Sequence, residues 1–298
     1  MASFPTCPSS RRGRPFPPPG RLLALALAAL LVPGWGILHS QERAPGSDFI
    51  LVTEEPWKRG EVRSYSILFD GVPFGREAIR MTELRGEGPN RSLKFSQALT
   101  LDLRALGQKG FLTLHSLIQY ERVNVARSYR VEGVLRESPE YFTYPRPVPR
   151  AARTVLSLEL PASCPRMTWE TGGTAREIRL PPVAGSALVD PLSMGHWERL
   201  FLGDRWRVGQ TRTLDLLLPA GPSRFDYHLD SLRTDPPAPE RVRVSVTVEA
   251  REPVEVFSVP IPAFRCRVPE LGLTLWVSGS GGILRYDDGR GLVAHLER

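Results

Sequence analysis

Lysine is nearly absent from this sequence. Of its 39 basic residues only Lys58, Lys94 and Lys109 are lysines, and no basic run carries interleaved aromatics, so a nucleic-acid partner is not expected. The net charge of +7 does not change this, because Arg11, Arg12, Arg14 and Arg21 stand unopposed in the first 21 residues and the rest of the chain carries only +3. His115, His196, His228 and His295 are scattered, without paired spacing or a neighbouring cysteine, so no metal site is expected. His39 stands beside an apolar terminal run.

Catalytic patterns are also missing. Ser280 stands between Gly279 and Gly281, one residue short of the glycine–x–serine–x–glycine nucleophile turn. Asp287 and Asp288 are adjacent, so a strand or turn sends them to different sides, which argues against paired-carboxylate catalysis. A phosphate loop needs glycines directly before a helix. Here "SGSGG" precedes only short apolar segments divided by Asp288-Gly289, so it is expected to be a hairpin turn. No catalytic residue and no cofactor is assigned.

Turn formers are abundant, with 29 prolines and 26 glycines, while 41% hydrophobic and 24% charged residues fit a globular chain. Residues 1–40 are expected to be a signal peptide or an uncleaved signal anchor. Leu22–Leu38 is 17 residues without a charge, preceded by arginines and interrupted by Pro33 and Gly34. That length permits either fate. In both cases the flanking arginines place the body of the chain outside the cytoplasm, in the periplasm or cell envelope. A polar linker, 41–54, leads to a single extracytoplasmic β-rich domain, 55–298.

Only Cys164 and Cys266 belong to the exported part. A bridge between them would close a loop of about 100 residues, worth about 4–5 kcal/mol in the chain-entropy picture. Two separate buried thiols are the alternative.

Period-two alternation dominates the body. Tyr65, Ile67 and Phe69 point one way, and Asp70-Gly71 signals a reversal. Leu93, Phe95, Leu99, Leu101 and Leu103 repeat the pattern, and Val242, Val244, Val246 and Val248 give its cleanest instance. Pro139, Pro145, Pro147 and Pro149 mark a connector over 139–153, and Pro260 and Pro262 mark an edge or kink. One helix is expected over about 190–203, with Asp190 as cap, Pro191 in the first turn and Gly203 at its end. Met194, Trp197, Leu200 and Phe201 form its apolar stripe, which either packs on a sheet or binds a ligand. The fold class is therefore mainly β: a large curved antiparallel sheet or half-open barrel wrapped around one helix.

"YSILFDGVPFGREAI" and "LTLWVSGSGGILRYDDGRGLVAHLER" resemble the opening and close of a bacterial periplasmic family of unknown role. The opening is also similar to the non-catalytic domain found ahead of transglutaminase-like domains, although no such catalytic domain follows here. The resemblance implies a curved sheet like that of lipoprotein carriers, with an apolar concave face. Three functional classes follow. One is a non-enzymatic carrier of a lipid or acyl chain, held by Met194, Trp197, Leu200 and Phe201. A second is an envelope scaffold or protein-interaction module. The third is an enzyme acting on envelope polymers.

Overall fold

The computed structural model describes residues 49–51, 57–86, 92–107, 110–122, 125–136, 151–160, 165–171, 173–180, 185–201, 205–219 and 238–297. The Leu22–Leu38 run and most of the 139–153 connector lie outside these residues. Among them no helix is long and apolar enough to cross a membrane.

Among the described residues seventeen strands follow one another. They are β1 (Phe49–Leu51), β2 (Val62–Phe69), β3 (Val72–Arg85), β4 (Ser92–Asp102), β5 (Phe111–Arg122), β6 (Val125–Arg136), β7 (Ala151–Glu159), β8 (Arg166–Thr171) and β9 (Thr174–Ile178). After these come β10 (Ala187–Leu188), β11 (Arg205–Arg207), β12 (Thr211–Leu218), β13 (Glu240–Val256), β14 (Val259–Val268), β15 (Leu273–Ser278), β16 (Ile283–Asp287) and β17 (Leu292–Leu296). Among the described residues one α-helix occurs, α1 (Met194–Arg199), between β10 and β11.

Fifteen of the strands form one sheet. Two meanders, β2–β9 and β12–β17, are joined where Leu292–Leu296 pairs antiparallel with Tyr65–Phe69. Among the described residues only the two-residue β10 pairs parallel, with β12. Short β1 and β11 make a separate two-stranded ladder. The sheet curves strongly but does not close, and among the described residues its ends are β9 and β10. Register shifts such as Met81/Glu83 and Val248/Ala250 insert extra residues on one strand, which bends it and adds twist.

The alternation in the sequence maps directly onto this curvature. Tyr65, Ile67, Leu93, Phe95, Leu99, Leu101, Val244, Val246 and Val248 all enter one core on the inner face. Phe69 and Val242 reach its margin as partly buried residues. Strand packing is close at Gly75, where a Cβ would meet the Thr100 carbonyl oxygen at 2.3 Å and Leu101 Cδ2 at 2.7 Å. Residues 151–153, assigned to the connector by their prolines' neighbourhood, already belong to β7.

The bulge at Val248/Ala250 has a second consequence. It reverses the facing of β13, so Val254 and Val256 join Ala263, Trp276 and Leu284 in a small separate cluster. The β13–β14 hairpin coils far enough for β13 to touch β16. Pro260 and Pro262 lie in the part of β14 that extends beyond its pairing with β15, where a missing N–H costs no ladder bond.

The helix is shorter than the sequence predicts. It spans six residues, Ser193 stands at its N-cap without a side-chain capping bond, and Leu200 caps its end. Asp190 instead ties the preceding turn, its carboxylate accepting from the Leu192 N–H at 3.1 Å. Those bonds hold Pro191 and Leu192 outside the helix. Gly203 lies outside the described residues.

Candidate functional site

α1 sits against the inner face of the sheet, and its polar side chains point inward as well as its apolar ones. Met194, Trp197 and Phe201 are buried in the core, and Leu200 packs at its edge. Phe201 meets Trp206 at 5.2 Å between ring centres, and the Trp197 indole N–H donates to the Pro191 carbonyl at 2.9 Å. The apolar stripe is thus placed together, as a packing surface.

Glu198, on the same helix, is the centre of a buried polar hub, with only 1% of its side chain exposed. Arg63 Nη1 donates to both carboxylate oxygens, at 2.8 Å each. The Trp57 indole N–H donates to Oε2 at 2.8 Å, and the Ile283 backbone N–H donates to Oε1 at 3.0 Å. The Tyr65 hydroxyl lies 3.1 Å from Oε1 and 3.2 Å from the Ile283 carbonyl, and its single proton serves one of them at a time. Arg63 also stacks 4.0 Å from the Trp57 ring and donates from Nε to Glu61 at 3.0 Å.

Electrostatics reinforces the hub. Burial alone would lower the Arg63 pKa, but Glu198, Tyr65 and Glu61 outweigh it and hold the guanidinium above its ordinary value. Burial, followed by the Glu198 charge, pushes the Tyr65 hydroxyl well above the ordinary phenol range, so it remains a donor.

A second group lies at the start of the helix. The Tyr129 hydroxyl donates to Asp190 Oδ2 at 2.7 Å, and the Asp190 backbone N–H donates to His196 Nδ1 at 2.7 Å. That bond requires the neutral tautomer with its proton on Nε2. Burial accordingly lowers the His196 pKa to about 4. Ser193 and Ser116 both donate to Gln97 Oε1, at 2.8 and 3.0 Å.

Glu77 completes the interior and differs from the rest. It is 0% exposed, and neither carboxyl oxygen has a hydrogen bond of ordinary geometry. Burial first, and then the nearby Asp190 charge, raise its pKa well above the usual carboxylate range, while the Met194 N–H opposes only weakly.

The "SGSGG" stretch does form a turn. The Ser278 N–H donates to the Gly282 carbonyl at 2.8 Å, and Gly281 takes a φ of 85°. Yet it is not remote from the hub, because a Cβ on Gly282 would lie 3.3 Å from Arg63 Nη1 and 3.8 Å from Glu198 Oε1. The turn delivers the Ile283 N–H to the carboxylate.

No protein-family model, no curated protein and no solved structure matches the chain.

Cys266 is a buried free thiol whose Sγ lies 3.7 Å from the Phe264 carbonyl. Burial raises its pKa above the ordinary thiol value. Cys164, its suggested partner, lies outside the described residues. Among those residues no group of three metal-binding side chains comes together.

Sequence reasoning missed the hub, although a signal was present. Arg63 is in phase with Tyr65 and Ile67, and Glu77 is in phase with Ile79 and Met81. A charged residue in register with an inward apolar set must be buried with its strand. On α1, His196, Glu198 and Arg199 fall between the apolar positions and read as a solvent face, but a helix enclosed by a curved sheet has little solvent face to offer.

Proposed function

We propose that the chain is an extracytoplasmic cell-envelope protein without enzymatic activity, working as a binding module through the outside of its sheet. One observation carries this reading: the apolar side chains of the chain's own helix are buried in the core of the inner face, and Glu198 clamps that helix to β2 and β16. The residues that sequence analysis offered to a ligand, Met194, Trp197 and Phe201, are committed to that packing. Outward features remain for contact, above all the coiled β13–β14 arm. Crosslinking in native membranes, with the full chain as bait, is expected to enrich envelope components through residues of the outer face. Contacts mapping only to the inner face would overturn the reading.

A second reading is a carrier of a lipid or acyl chain, in keeping with the resemblance to lipoprotein-carrier sheets. Glu77 favours it, because a buried carboxyl without a hydrogen bond of ordinary geometry beside α1 weakens the seat of the helix, and a departing helix would open an apolar surface. Saturable binding of a fluorescent acyl probe by lipid-free protein, lost in Trp197→Arg, would support the carrier. Absence of binding by the folded protein would leave the outward-facing module.

A further inference from the structure

The β13–β14 arm ends in an exposed apolar tip. Phe257 is 64% exposed and Val259 56% exposed, with Pro260 exposed beside them. Phe257 and Ser258 form the turn with φ of 53° and 59°. Such turns ordinarily use asparagine and glycine, and an aromatic residue there is strained. The strain holds a large ring at the tip of the β13–β14 hairpin, exposed and outside both core clusters.

The occupant follows from chemistry and chain path. From Val256 to Pro260 there is no charge, and the nearest one is Glu255, so the tip has no cation to seek an anionic partner. The chain enters the domain at the same end. Phe49 pairs with Arg207, and the Gly209 N–H that follows donates to the Val248 carbonyl, part-way up the strand that ends at the tip. From Val248 to Val256 the arm rises about 26 Å further at 3.3 Å per residue. The ten residues 39–48 reach at most about 35 Å, and before them stands the uncharged run Leu22–Leu38. Two exposed apolar side chains bind a bilayer only marginally, and a second attachment makes such binding stable.

We propose that Phe257 and Val259 dock the arm into a zwitterionic lipid surface. This rests on the outward-facing reading above and names its partner. In the full chain, with Cys7 and Cys164 changed to serine and Cys266 left buried, Ser258→Cys and, separately, Val72→Cys carry a nitroxide. Val72, 54% exposed, lies at the opposite end of the strands. In phosphatidylcholine vesicles the Ser258 label is expected to gain access to oxygen and lose access to a water-soluble nickel chelate at least threefold, while the Val72 label keeps its access to nickel. Phe257→Asp with Val259→Asp is expected to abolish the difference. Equal nickel access at both sites overturns the proposal. Loss of access to both oxygen and nickel at the tip also overturns it and identifies a protein or a second copy as occupant. Crosslinks from the inner face would count against the outward-facing module without bearing on the label.

Discussion

Arg63 Nη1 bridges both carboxylate oxygens of Glu198 at 2.8 Å, joining the first long strand of the sheet to a helix 135 residues later in the chain. Trp57, Tyr65 and the Ile283 N–H complete the carboxylate's shell. A buried ion pair of this kind adds little beyond a well-packed apolar pair, but losing one partner strands the other charge.

That asymmetry makes Arg63→Met strongly destabilising, by about 3–5 kcal/mol. Arg63→Met with Glu198→Leu is expected to recover part of the loss. Urea unfolding of the two single variants and the double variant closes a cycle that measures the coupling. A double variant as unstable as the sum of the singles would show that the pair does not act as one unit.

Glu77 makes the fold sensitive to alkali. Its folded pKa is raised, so its contribution is fully present below the unfolded value and is lost as pH rises through the folded value. Glu77→Gln, neutral at every pH, is expected to lose less stability than the wild type between pH 5 and 9. Parallel thermal melts across that range would refute this if the two curves kept a constant separation.

His196 acts at the other end of the scale. Its pKa falls from 6.5 to about 4 on folding, so stability is complete above 6.5 and declines as pH falls towards 4. At about 1.4 kcal/mol per pH unit, the loss amounts to about 3 kcal/mol for this buried ring. His196→Asn keeps an acceptor for the Asp190 N–H and does not titrate, and its unfolding free energy is expected to be flatter from pH 6.5 to 4.5.

Gly75→Ala places a methyl group 2.3 Å from the Thr100 carbonyl oxygen, where backbone must move. Because overpacking costs about 1–3 kcal/mol, the expected shift is a lower urea midpoint with an unchanged slope. An unchanged midpoint would mean that β3 and β4 separate freely.

Cys266 is expected to resist iodoacetamide in the folded protein and to react once it is unfolded, since burial keeps the thiol protonated. Mass spectrometry after alkylation reads this directly. Rapid labelling without denaturant would show that the site opens.

Much of the inner face was legible because two-residue alternation is a local property: Leu93, Phe95, Leu99 and Leu101 cannot all face a core unless the backbone is extended. The reversal at Asp70-Gly71 and the turn at Ser278–Gly282 were legible for the same reason. The length of α1 was not, because Asp190 spends its carboxylate on Tyr129 from β6 and on the Leu192 N–H, and Tyr129 lies far away in sequence.

The sequence by itself determined which residues of each strand face inward, since that follows from backbone geometry within a few residues. Tertiary structure alone decided what the inward charges meet. Arg63, Glu198 and Ile283 come from three distant parts of the chain and become neighbours only when β17 pairs with β2 and the sheet curves around the helix. Desolvation acts only on that assembled interior, and so the shifts at Glu77 and His196 belong to the fold.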